Sequence, residues 1–202
     1  FVPSIAIAIF TSILRKQGYA VELFDTTHYV VPENSSPQNR VKFLQAREFD
    51  ETNDLGVRFL TDLVGDYKAK IRSFNPDLIV YSVVEDCYRQ TLTLMEAIKE
   101  ETIPHLVGGV FPTAAPEVCI SNELINAIGI GEGESILPAF AEAVRLGCNA
   151  TDIPGTWVKI NSEIRKNPRP KLVDIETYIP DFSLFDKSRF NRPMGGEIFR
   201  TI

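Results

Sequence analysis

Between Pro76-Asp77 and Glu85-Asp86 lies Leu78-Ile79-Val80-Tyr81-Ser82-Val83-Val84, a nearly continuous apolar run bounded by turn formers. A run of that length and β-branched content predicts a strand buried on both faces, as in a parallel sheet sandwiched between helices. Such a strand constrains the whole chain. The flanking sequence must supply helices for both faces and connections long enough to bring the next strand back parallel.

The neighbouring segments meet that demand. Val57, Leu60, Leu63, Val64, Tyr67 and Ile71 recur three and four residues apart and predict a helix, broken near residues 53–56 and stopped by Asn75-Pro76-Asp77. Residues 87–101 read as a helix. Ile103 to Val107 reads as a short strand ending at Gly108-Gly109, and residues 113–124 as a helix containing or starting at Pro116. Asn126 to Ile130 is another short strand, followed by Gly131-Glu132-Gly133-Glu134 and a helix from Ser135 to Leu146 closed by Gly147. Strands alternating with helices over short connections predict right-handed crossovers and a doubly wound, parallel α/β sheet.

The ends of the chain follow different patterns. Ser4 to Phe10 fits either a two-residue alternation or, through Ile5, Ile9 and Ile13, one face of a helix. A start at Pro3-Ser4, cations at Arg15 and Lys16, and Gly18 as a left-handed cap favour the helix. Tyr19 to Phe24 then reads as a strand ending at Asp25, and residues 26–39, with Pro32 and Pro37, as a long exposed loop. Past Asp152, Thr156 to Ile160 and Glu163 to Lys166 flank Asn161-Ser162 and predict a small antiparallel hairpin. The rest holds Pro168, Pro170, Pro180 and Pro193 and reads as an extended tether. Residues 1–150 are thus expected to form the wound domain, and 151–202 a β-hairpin and linker.

Composition narrows the function. Across 202 residues, Lys plus Arg number 21 against 27 Asp plus Glu, a formal charge of -6, so no global basic field exists to hold nucleic acid. Cys87, Cys119 and Cys148 form no C-x-x-C or C-x-x-x-C-x-x-C pattern, which excludes a zinc ribbon or iron-sulfur cluster built from these residues alone. An odd number of scattered thiols fits a reducing cytoplasm. The apolar stretch from Phe1 to Leu14 is interrupted by polar residues and falls short of the roughly 18 residues of a membrane span. With cations after it instead of before it, it reads as part of the fold and not as a signal peptide.

In an open parallel sheet, ligands bind beyond the carboxyl ends of the strands. Three such ends are unusual here: Ser82-Val83-Val84-Glu85-Asp86, Gly108-Gly109-Val110-Phe111-Pro112-Thr113 and Gly129-Ile130-Gly131-Glu132-Gly133-Glu134. Glycine lets a ligand lie against bare backbone, although tight strand-to-helix turns call for it too. Glu132 suits hydrogen bonding to ligand hydroxyls or amides, and both Glu132 and Glu134 also suit a helix start, where carboxylates offset the dipole. Neither glycine segment matches the dinucleotide fingerprint or the P-loop. His28 and His105 read as surface or packing residues. No G-x-S-x-G elbow is present, so the residues point to a ligand-binding module without catalytic or metal-ligating residues of its own.

Four segments together are similar to a known family. They are Leu14-Arg15-Lys16-Gln17-Gly18-Tyr19-Ala20-Val21-Glu22-Leu23-Phe24-Asp25; Pro76-Asp77-Leu78-Ile79-Val80-Tyr81-Ser82; Gly108-Gly109 with Pro112-Thr113 and Pro116-Glu117; and Gly131-Glu132-Gly133-Glu134. Their order resembles the cobalamin (vitamin B12)-binding domain of cobalamin-dependent radical S-adenosylmethionine (SAM) enzymes, including the magnesium-protoporphyrin monomethyl ester cyclase-like branch. Ile153-Pro154-Gly155, Asn167-Pro168-Arg169-Pro170 and Arg192-Pro193-Met194-Gly195-Gly196 resemble the connector into that family's radical barrel. The resemblance implies a flavodoxin-like fold holding cobalamin at the carboxyl ends of its strands. Carried over by position, the contacts are Ser82, Val84 and Glu85, then Gly108, Gly109, Val110 and Phe111, then Gly131, Glu132 and Gly133.

The resemblance further implies a methyltransferase or oxidative cyclase whose [4Fe-4S] cluster and S-adenosylmethionine belong to a downstream radical SAM domain beyond Ile202. The D-x-H-x-x-G segment that supplies a cobalt-ligating histidine in the methionine-synthase type is missing, so no histidine of this chain is expected on cobalt. The family also has a central strand before its first helix, which is expected to precede Phe1. The reading from another class is a non-catalytic flavodoxin-like regulatory or nucleotide-binding interaction domain.

Overall fold

A computed structural model describes residues 3–30, 52, 53, 58–161, 163–194 and 197–200. In chain order the main elements are α1 (Ile5–Lys16), α2 (Leu63–Phe74), β1 (Ile79–Ser82), α3 (Tyr88–Ala97), β2 (His105–Gly108), α4 (Val110–Ala114), α5 (Pro116–Ser121), β3 (Ala127–Gly129) and α6 (Gly133–Arg145). They are followed by β4 (Thr156–Ile160), β5 (Glu163–Lys166), β6 (Asn191–Met194) and β7 (Glu197–Arg200). No helix among the described residues is long and apolar enough to cross a membrane.

Local chemistry explains the helix boundaries. Ser4 caps α1 by accepting the Ile7 N–H, and Arg15 and Lys16 close its last turn. Asp62 caps α2 by accepting the Gly65 N–H at 2.9 Å, and Asn75 ends that helix in the left-handed conformation. Pro116 splits the helix expected over 113–124 into α4 and α5, because proline at the first helical position has no N–H with which to continue the preceding one.

Five strands form one sheet in the order β1-β2-β3-β4-β5. β1, β2 and β3 are parallel, whereas β3–β4 and β4–β5 are antiparallel. The hairpin therefore continues the sheet through Ala127↔Val158 and Ile128↔Trp157. Helices cover both faces. Tyr67, Ile71, Leu94 and Ile120 pack on Ile79, Tyr81, Val107 and Ile128, while Ile136, Leu137 and Phe140, with Phe10 and Leu14 of α1, pack on Leu106 and Ala127. Alternate strand residues thus feed opposite cores, as the two-residue period requires, and the fold is the expected doubly wound α/β sheet with a small C-terminal hairpin.

Four expectations change. β1 is not buried on both faces: Ile79 and Tyr81 are buried, but Val80 is 39% exposed, because among the described residues β1 is the edge strand of the sheet. Tyr19 to Phe24 is not a strand and joins no ladder among the described residues. Leu60 is not helical but forms a parallel bridge with Tyr29, through Val30 N–H to Leu60 C=O and Leu60 N–H to His28 C=O; Val57 and the break at 54–56 lie outside the described residues. The tether is partly ordered, since Asp186 caps a 3-10 turn at Lys187–Phe190 and a second hairpin, β6–β7, follows.

Candidate functional site

The carboxyl ends of β1, β2 and β3 converge on one cavity of about 2180 Å³. Of the ten contact positions anticipated from the sequence, all but Glu85 and Phe111 line it. Phe111 turns inward, its ring 4.6 Å from that of Tyr88. Val84 and Val110 stand on the rim at 50% and 69% exposure, an apolar lip on otherwise polar turns.

The glycines divide into two kinds. A Cβ on Gly109 would lie 2.6 Å from the Val83 carbonyl oxygen and 2.7 Å from its nitrogen, and the residue has φ +110°. It is therefore required for the β2 tip to press against the β1 tip, where Val83 N–H donates to Gly108 C=O (2.8 Å) and Phe111 N–H to Val83 C=O (3.1 Å). A Cβ on Gly133 would lie 2.5 Å from the Phe10 ring, so this glycine lets α6 pack on α1. Gly108 and Gly131, by contrast, have no heavy atom of the described residues within 4 Å of a Cβ and present bare backbone to the cavity.

The β3 tip is held differently. Glu132 Oε2 accepts the N–H of Val173 at 2.7 Å, tying the tip to the C-terminal segment. That segment continues along the rim: Asp181 N–H donates to Ala8 C=O (2.9 Å), Arg15 Nη1 meets Asp181 Oδ2 at 2.7 Å, and buried Arg189 meets Asp25 Oδ2 at 3.0 Å. The Asp25–Arg189 pair was not anticipated. Nothing local in the sequence distinguishes Arg189 from a solvated arginine, because its burial depends on segments 164 residues apart.

The cavity also runs along β1, the edge strand among the described residues. Val21, Leu23 and Phe24 line it opposite Leu78, Val80 and Ser82. Tyr67 and Tyr81 share a buried hydroxyl–hydroxyl hydrogen bond of 2.7 Å beside it, and burial raises the pKa of both phenols, so both stay protonated at neutral pH.

Burial lowers the pKa of both histidines. His105 Nε2 accepts the Asn126 N–H at 3.2 Å, and burial pushes its pKa down, which holds the ring neutral as a packing group at the amino end of β2. No cluster of three or more His, Cys, Asp or Glu able to hold a metal occurs among the described residues.

Solved structures share this architecture. The radical S-adenosylmethionine methyltransferase TsrM from Kitasatospora setae, bound to tryptophan and a SAM analogue, superposes with a TM-score of 0.61 at 18% identity, over 83% of this chain and 28% of its own. The cobalamin-dependent S-adenosylmethionine radical enzyme OxsB, with aqua-cobalamin and S-adenosylmethionine bound, superposes with a TM-score of 0.59 at 18% identity, over 85% of this chain and 20% of its own. This chain thus corresponds to less than a third of either enzyme. No curated protein matches it. Residues 41–141, half of the sequence, match the B12-binding domain, and the chain belongs to that family.

Proposed function

We propose that this chain holds cobalamin across the carboxyl ends of β1, β2 and β3 and serves as the corrinoid module of a radical SAM enzyme. The observation that carries the reading is the pair of open glycines, Gly108 and Gly131, at neighbouring strand ends of one cavity in a B12-binding chain. The residues fit the group. A large, mainly uncharged ligand needs close backbone, an apolar lip and a few polar handles. Gly108 and Gly131 supply the first, Val84 and Val110 the second, and Ser82 and the free oxygen of Glu132 the third. Gly109 and Gly133 shape the slot from behind.

Bound cobalamin supplies a cobalt centre for alkyl-group or electron transfer, while the protein supplies binding and orientation. In this reading residues 1–150 hold the cofactor. Residues 151–202 close the sheet edge and lead to a downstream domain carrying the [4Fe-4S] cluster and S-adenosylmethionine, with methylation or ring-forming oxidation as the reaction class. The likeness to TsrM and OxsB supports this, as does the C-terminal segment running along the cofactor rim. A strand preceding Phe1 fills the trench between Val21–Phe24 and β1. The edge position of β1 among the described residues and the exposure of Val80 support it, since an open apolar strand edge is a ready template for another strand. Three free thiols support a reducing, cytoplasmic setting.

The decisive experiment is a titration of the folded protein with hydroxocobalamin followed by absorption. A saturable shift of the corrin bands is expected, and a folded full-length protein that leaves the spectrum unchanged overturns the proposal. A three-cysteine cluster encoded shortly after Ile202 is the expected mark of the downstream domain, and a stop codon there removes that part of the reading.

A further inference from the structure

The neighbouring pairs of strand tips around the cavity are joined by different means. β1 and β2 are zipped by backbone, with four paired positions from Ile79↔His105 to Ser82↔Gly108 and the ladder prolonged by Val83 and Phe111. β2 and β3 register through a single pair, Val107↔Ile128. Beyond it, the hydroxyl of Thr113 links the Gly108–Gly109 tip to Gly131. Its O–H donates to Gly109 C=O at 2.9 Å, and its oxygen accepts the N–H of Gly131 at 3.0 Å.

This geometry constrains Gly131. The residue sits at φ +91° with open space where a Cβ would stand, so no side chain of its own packs to fix its peptide. The backbone bond from Ile130 N–H to Gly155 C=O, at 2.7 Å, holds the preceding residue from the β4 side, and Glu132 is held by Val173 on the other. The orientation of the Gly131 amide itself is left to Thr113. Because that N–H is already engaged, Gly131 offers a ligand closeness and not a donor.

We infer that Thr113 is a positioning residue of the cofactor slot, its hydroxyl fixing the spacing of the Gly108–Gly109 and Gly131 tips before any ligand arrives. This rests on the cobalamin reading for its ligand but not for its geometry. A threonine hydroxyl suits the role, since one oxygen both donates and accepts and the β-branched side chain has few rotamers.

The test compares Thr113→Val, which keeps the shape and removes the hydroxyl, with Thr113→Ser, which keeps the hydroxyl. In the ligand-free full-length protein, amide hydrogen exchange at Gly131 is expected to accelerate about tenfold or more in Thr113→Val and to stay near the parent rate in Thr113→Ser. Hydroxocobalamin affinity is expected to fall about tenfold in Thr113→Val, to recover in Thr113→Ser, and to do so without a matching loss of thermal stability.

Unchanged Gly131 exchange in Thr113→Val overturns the inference, and so does faster exchange with unchanged affinity. If the parent protein binds no hydroxocobalamin, the functional reading and the slot role fail together, while the exchange data alone decide whether the hydroxyl fixes the tips. If Thr113→Val does not fold, Thr113→Ala carries the same two measurements.

Discussion

Gly109 and Gly133 press against the protein's own atoms, whereas Gly108 and Gly131, one and two residues away in sequence, face open space. The first pair brings structural elements together, and the second leaves open space, which the proposed reading assigns to cobalamin. In that reading glycine-rich strand ends in a wound sheet serve two purposes at once. The local motif does not separate them, because a missing side chain looks the same whether the protein or a ligand fills the space.

Substitution can break or sharpen this contrast. Gly109→Ala is expected to have the largest effect, a loss of about 3 kcal/mol in denaturant unfolding, because the methyl group meets rigid Val83 backbone and φ +110° disfavours any side chain. A loss below about 1 kcal/mol would remove the structural half of the contrast.

Gly133→Ala should cost less, about 1–2 kcal/mol, since the obstacle is the movable ring of Phe10 and alanine favours the helix. Combining it with Phe10→Leu is expected to recover part of that loss. If the double substitution is no better than additive, the Phe10 contact is not the cause.

Gly108→Ala tests the open class. Stability should stay within about 0.5 kcal/mol of the parent, while hydroxocobalamin affinity falls about tenfold in spectral titration. Normal affinity would show that this backbone does not meet the ligand.

The smallest expected effect lies at the opposite end of β2 and serves as a control. Burial holds the folded pKa of His105 below its ordinary 6.5, so the unfolded chain binds the proton more readily. The neutral ring's contribution to stability is therefore present above pH 6.5 and lost as pH falls below it. His28 is shifted in the same direction and adds to the slope. His105→Gln, with an oxygen still able to accept the Asn126 N–H, should reduce the slope of stability against pH below 6.5 without removing it; an unchanged slope would mean His105 is not held neutral by the fold.

Much of the framework was legible. The run at 78–84 announced β1, Gly108-Gly109 and Gly131-Glu132-Gly133 marked the strand ends, and Asn161-Ser162 marked the hairpin turn. The misreadings have physical reasons. Tyr19 to Phe24 has the composition of a strand, but a strand also needs an edge to pair with, and the neighbouring edge is β1 across a trench. Leu60 satisfied a helical period yet formed a β-bridge, since pairing with Tyr29 competes with local helix formation. Thr113 was visible only as part of Pro112-Thr113, because its two partners lie 4 and 18 residues away.

By itself the sequence determined the alternation of elements, the helix starts and stops and the positions that could come close to a ligand, because those depend on side-chain size, backbone freedom and hydrophobic period over a few residues. The tertiary structure decided which glycines stay empty, that the hairpin extends the sheet, and that Arg189 is buried against Asp25. Each of those outcomes depends on atoms brought together from distant parts of the chain, and no local pattern encodes what will stand opposite a given residue.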